Sequence, residues 1–136
     1  MGRLTPDEVV AQLELWRGLR CWTRVPASAV QRDSRLSAGV VYFIAGDVPV
    51  QIEIYAGRDT ADTYATILHE LAHVYHGANH GKAWRNGYLS AVAEVCRVPA
   101  DDVLGEMRGR PSKAKADRIA RTWLGRAIRE GLHGSA

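Results

Sequence analysis

The chain has 136 residues, of which 46% are hydrophobic and 24% charged. Those values bound it to one soluble domain with room for a packed core. Its longest apolar run, Val40 to Ala45, falls far short of the roughly 20 residues that a membrane-spanning helix needs, so no membrane partner is expected. The formal charge of +3 is unevenly spread: residues 1–107 carry ten basic and thirteen acidic side chains, a net of −3, whereas residues 108–136 carry eight and two, a net of +6.

In chain order, Thr5-Pro6-Asp7-Glu8 is a helix start. Thr5 can cap, Pro6 suits the first helical position, and Glu8 completes a capping box. Val9, Val10, Leu13, Trp16 and Leu19 then form an apolar face that ends near Gly18 to Arg20. This opening is not a charged-then-apolar leader. With only two cysteines, Cys21 and Cys96, expected as free thiols, it points to a cytoplasmic protein. Trp22 to Val25 reads as a short strand before Pro26, and Arg32 to Arg35 as a polar loop.

Val40 to Ala45, bounded by Gly39 and Gly46, is β-branched and aromatic and reads as a strand. Asp47 and Pro49 turn the chain. Val48, Val50, Ile52, Ile54 and Ala56 then alternate with Pro49, Gln51, Glu53 and Tyr55, the pattern of a half-buried second strand. An edge strand beside a catalytic site can hold an extended peptide, which would make Glu53 and Tyr55 cleft residues.

Asp59 and Thr60 are good N-cap residues, and Tyr64, Ile67, Leu68, Leu71 and Tyr75 follow at spacings of three and four. Gly77 supplies the stop, so a helix is predicted from Thr60 to His76. On it His69-Glu70-Leu71-Ala72-His73 forms an H-E-x-x-H motif. His69 and His73, one turn apart, point the same way and make a bidentate zinc site. Glu70 lies roughly 100° further round the helix, able to act as base without being a ligand. Zinc lowers the pKa of a bound water to about 7, and Glu70 would take its proton as the oxygen attacks a carbonyl.

A catalytic zinc usually takes three protein ligands and a water. For the third, His80 follows the short turn after Gly77, Glu94 could reach over from the next helix, and His76 extends the histidine stripe. Ala83, Trp84, Tyr88, Leu89, Ala91, Val92, Val95 and Cys96 then recur at helical spacing, predicting a second helix from Lys82 to Arg97 that stops before Pro99. Tyr88 and Arg85 lie close enough to His80 in sequence to be considered as oxyanion stabilisers.

His69-Glu70-Leu71-Ala72-His73, His76-Gly77 and Asn79-His80-Gly81-Lys82-Ala83-Trp84 together resemble the SprT-like and WLM group of small zinc metallopeptidases, to which Spartan-type DNA–protein crosslink proteases belong. The resemblance covers about Thr60 to Val98. It implies that His69, His73 and His80 bind Zn2+, that Glu70 is the general base, that Trp84 packs the site, and that substrates include DNA-associated proteins.

Residues 99–107 read as a short helix with Val103, Leu104 and Met107 inward, and Arg108-Gly109-Arg110-Pro111 as a hinge. Ser112 can cap a last helix whose stripe is Ile119, Ala120, Trp123, Leu124, Ala127 and Ile128. Lys113, Lys115, Arg118, Arg121, Arg126 and Arg129 cover much of the remainder. Such a basic amphipathic helix can contact DNA.

The combined expectation is an α+β fold of minimal zincin-like type. A small antiparallel sheet of two or three strands would pack on the H-E-x-x-H helix, flanked by N- and C-terminal helices. Residues 1–107 would form the metallopeptidase domain and residues 108–136 a basic helix packed on it. The expected function is zinc-dependent hydrolysis of protein or peptide substrates. The alternative is a nucleic-acid-binding or interaction protein whose zinc is structural or vestigial, a reading that Glu70 opposes because a structural site needs no base.

Overall fold

The computed structural model describes residues 4–22, 59–77 and 79–132 with their side chains, and 31–32, 39–44 and 48–54 by backbone alone. Helix α1 spans Pro6–Trp16. Thr5 Oγ1 accepts from the Glu8 amide at 3.2 Å and Glu8 Oε1 from the Thr5 amide at 2.9 Å, a closed capping box. Its inner face of Val9, Gln12, Leu13 and Trp16 is buried.

Helix α2 spans Thr60–His76. Asp59 caps it by accepting from the Asp62 amide at 2.9 Å, and Gly77 ends it at φ 101°, a value that glycine adopts without steric cost. From Thr63 to Tyr75 nearly every side chain of α2 is buried, so this helix is wrapped rather than laid on a surface. Helix α3, Lys82–Cys96, ends where Arg97 takes the left-handed conformation, φ 59° and ψ 44°. That is one residue earlier than the sequence predicted. Helix α4 is Ala100–Leu104, followed by one tight turn over Gly105–Met107. Helix α5, Lys113–Arg129, starts at Ser112, whose Oγ accepts from the Lys115 amide at 3.0 Å.

The core is a single cluster in which Trp16, Ile67, Leu68, Leu71, Trp84, Tyr88, Leu89 and Leu124 are the largest contributors, drawn from α1, α2, α3 and α5. Helix α2 packs against both α3 and α5. The α2–α3 approach is close enough that an added Cβ at Gly87 would stand 2.2 Å from Cδ2 of His76. A glycine in the middle of α3 is therefore explained by the His76 ring lying on it.

The expected α+β, zincin-like class is corrected. Five helices make up the described body, and no strand or sheet occurs among the residues whose side chains are described. Gly39–Ile44 pairs antiparallel with Val48–Ile54, with Gln31–Arg32 beside the latter, but these segments are described by backbone alone. Physically, the alternation of residues 48–56 drew the class toward a sheet-on-helix arrangement. Among the residues whose side chains are described, however, α2 packs against α1, α3 and α5. The expectations for Thr23 to Val25, for Asp33 to Arg35, for Asp47, and for the Glu53 and Tyr55 side chains lie outside the described residues.

Candidate metal centre

Two turns of α2 and the residues leading into α3 bring three imidazoles together. His80 Nε2 lies 3.0 Å from His73 Nε2 and 3.4 Å from His69 Nε2, and the ligand atoms of the three residues all fall within 4.8 Å of one another. Nitrogens on a tetrahedral zinc at ~2.0–2.1 Å stand roughly 3.3 Å apart, close to the two spacings from His80.

The tautomers agree. His73 Nδ1 faces the Gly77 carbonyl oxygen at 3.0 Å, an atom that only accepts, so Nδ1 carries the proton and Nε2 presents a lone pair. His69 Nδ1 faces the Asp117 carboxylate at 2.9 Å, which fixes the same tautomer. Two lone pairs thus converge on the third ring, an arrangement that a cation satisfies better than one shared proton. Burial holds His73 in its neutral form, with its pKa lowered to about 4, and lowers that of His80 as well. Neutral imidazole is the form that binds metal.

Trp84 is the floor of the site. It is completely buried, its Nε1 donates to the His69 carbonyl oxygen at 3.1 Å, and its ring centroid lies 4.6, 5.3 and 4.5 Å from those of His69, His73 and His80. One aromatic side chain therefore limits the rotation of all three imidazoles.

Glu70 is buried beside this group, with Oε2 3.7 Å from His69 Nε2. Burial pushes its pKa up to about 7, opposed by His69 and reinforced by the negative charge of Asp117. A carboxyl group titrating near neutrality is suited to accept and return a proton.

The other third-ligand candidates lie elsewhere. Glu94 turns to the opposite end of α3, where Oε2 accepts from the Arg20 amide at 2.8 Å and Oε1 from the Cys21 amide at 2.9 Å. It tethers the chain that leaves α1. The His76 ring packs near Trp22, at 5.9 Å between centroids, and over Gly87. Both suggested oxyanion stabilisers have structural partners as well: Arg85 Nη1 donates to the His80 carbonyl oxygen at 2.9 Å, and Tyr88, fully buried, donates to Asp117 Oδ1 at 2.9 Å.

Asp117 is the residue that the sequence concealed. Burial raises its pKa, but hydrogen bonds from His69 and Tyr88 together with the charge of Lys113 outweigh that and hold it below the usual carboxylate value. No local signal marks it, because it is an acidic residue within a basic helix 48 positions from His69.

No protein-family model matches the chain, and neither a curated protein nor a solved structure does. The SprT-like resemblance accordingly rests on the H-E-x-x-H motif and the Asn79-to-Trp84 segment.

Proposed function

We propose that the protein is a zinc-dependent peptidase in which His69, His73 and His80 hold the ion and Glu70 is the general base. The observation that carries this reading is the convergence of three imidazoles, whose ligand nitrogens all lie within 4.8 Å of one another, next to a buried carboxylate outside the ligand group. A zinc ion held there supplies a Lewis acid that polarises a carbonyl and acidifies water to a pKa of about 7. Glu70 takes the proton of the attacking water and delivers it to the leaving amine. Trp84 keeps the imidazoles oriented, and His73 is locked in the ligand tautomer by the Gly77 carbonyl.

A structural zinc closes with four protein ligands, often cysteines. Here the described group has three members, and Cys21 and Cys96 are both free and lie outside it. Three ligands beside a buried carboxylate favour catalysis. The test is cleavage of an unfolded protein substrate by zinc-loaded wild type and Glu70→Gln. The variant should bind zinc normally and lose at least about 100-fold in rate, the scale of general-base catalysis. Equal rates for the two proteins would refute the assigned role.

DNA-associated proteins belong to the proposal as substrates on two grounds, the SprT-like resemblance and the exposed Lys113, Arg118 and Arg129 of α5. Lysine and arginine that neutralise phosphates give a binding constant that falls steeply with salt. Duplex binding followed by fluorescence anisotropy should show that fall, and Arg118→Glu with Arg129→Glu should weaken binding. A salt-independent signal, or an unaffected double variant, would remove DNA from the reading.

A further inference from the structure

Helix α5 docks along α2 through two neighbouring stripes. Ala116, Ile119, Ala120 and Leu124 enter the core. Beside them Asp117, Arg121 and Gly125, each one turn from the next, meet α2 directly. Asp117 Oδ1 lies 2.9 Å from His69 Nδ1, Arg121 Nε lies 3.5 Å from Asp62 Oδ1, and a Cβ at Gly125 would stand 3.9 Å from that of Ala61. Numbers rise along α5 as they fall along α2, so the helices run antiparallel. Their register delivers one carboxylate to one nitrogen of one imidazole.

That carboxylate is held from three sides. Its Oδ1 accepts from His69 and, at 2.9 Å, from the Tyr88 hydroxyl, while Oδ2 lies 3.6 Å from Lys113 Nζ. The contrast with His73 is informative. The Nδ1 of His73 is fixed by Gly77, four residues on in the same segment, and that bond forms whenever α2 forms and ends correctly. His69 gets its partner only when α5 is docked.

We infer that Asp117 is a positioning residue for His69 and that, through it, zinc binding and the docking of α5 are thermodynamically coupled. The inference rests on the zinc-site reading above. A carboxylate on Nδ1–H holds the ring in the Nε2 ligand tautomer, fixes its plane and strengthens it as a donor, and removal of such a partner typically weakens metal affinity 10- to 100-fold. Coupling is reciprocal: if a docked α5 improves zinc affinity, bound zinc holds α5 down by the same factor.

The experiment is zinc affinity by chelator competition on the full chain, wild type against Asp117→Asn and Tyr88→Phe, with amide hydrogen exchange before and after zinc. Asp117→Asn keeps shape and an acceptor oxygen but loses the charge, and it should bind zinc about 10-fold or more weakly. Tyr88→Phe should bind a few-fold more weakly. In the wild type, zinc should slow exchange along α5 as well as along α2 and α3. In Asp117→Asn the zinc-dependent protection of α5 should fall relative to that of α2, a difference that general stabilisation of the fold by zinc does not produce.

Wild-type affinity in Asp117→Asn, with zinc protection confined to α2 and α3, overturns the coupling while leaving the zinc site standing. A wild type that takes up no zinc overturns the site and the coupling together. If Asp117→Asn fails to fold, Tyr88→Phe and the wild-type exchange pattern decide: unchanged affinity and an unprotected α5 overturn the inference.

Discussion

The sequence places His80 ahead of Glu94 as the third ligand, and the two should respond oppositely to truncation. Glu94 accepts two main-chain hydrogen bonds, at 2.8 and 2.9 Å, from Arg20 and Cys21. Bonds to a charged acceptor contribute about 1.5–3 kcal/mol each when buried. The Glu94 side chain is 21% exposed and its Arg20 neighbour 94% exposed, so the low end applies to each and screening reduces it further. Glu94→Ala should therefore cost about 2 kcal/mol of unfolding free energy, a fall in Tm of about 6 °C for a domain of this size, with zinc affinity changed less than about twofold. His80→Ala should do the reverse. Structural zinc binding of about 10–16 kcal/mol spread over four ligands makes each worth roughly 3–4 kcal/mol, an affinity loss on the order of 100- to 1000-fold. The stability of the metal-free variant should stay within about 1 kcal/mol of wild type, because His80 is half-buried at the edge of the core. Urea unfolding of the metal-free proteins and competition with a chromophoric chelator measure both quantities. If Glu94→Ala loses zinc and His80→Ala keeps it, the assignment of the site is wrong.

Two further outcomes follow from the packing and the thiols. A Cβ at Gly87 would meet the His76 ring at 2.2 Å, so Gly87→Ala should destabilise by about 1–3 kcal/mol of overpacking, exceeding the roughly 1 kcal/mol gained in helix propensity. In a His76→Ala background the same change should become neutral or stabilising, and urea unfolding of the four-member cycle would expose a wrong sign. Burial pushes the Cys21 thiol up to about 12, with nearby Glu94 adding to it, and the Cys96 thiol up to about 11, with Arg126 partly opposing. A raised thiol pKa keeps the unreactive protonated form, so both should alkylate slowly in the folded protein at pH 8 and faster as pH approaches 11. Rapid labelling of either at pH 8 without denaturant would contradict this burial.

The features that the sequence displayed are local. The Asp59 cap, the Gly77 stop and the spacing of His69 and His73 are all encoded within one helical stretch, and His80 follows within a few residues of that helix's end. What it concealed is tertiary. Glu94 resembles a ligand as long as the Arg20 and Cys21 amides are not known to lie above it, and Asp117 resembles surface charge until α5 is docked antiparallel on α2. The fold class was misread for a related reason. Alternation of apolar residues in a short segment marks a strand but does not say what else packs on the neighbouring helix, and the side chains described around α2 come from α1, α3 and α5.

The most direct test of the zinc centre is X-ray absorption at the zinc edge on the chain loaded with one equivalent of metal. Three imidazole nitrogens at ~2.0–2.1 Å and one further light atom from water are the expected first shell, since a catalytic site keeps an open position. A sulfur scatterer at ~2.3 Å, or four imidazole or carboxylate donors from the chain, would identify a closed structural site and contradict the peptidase reading.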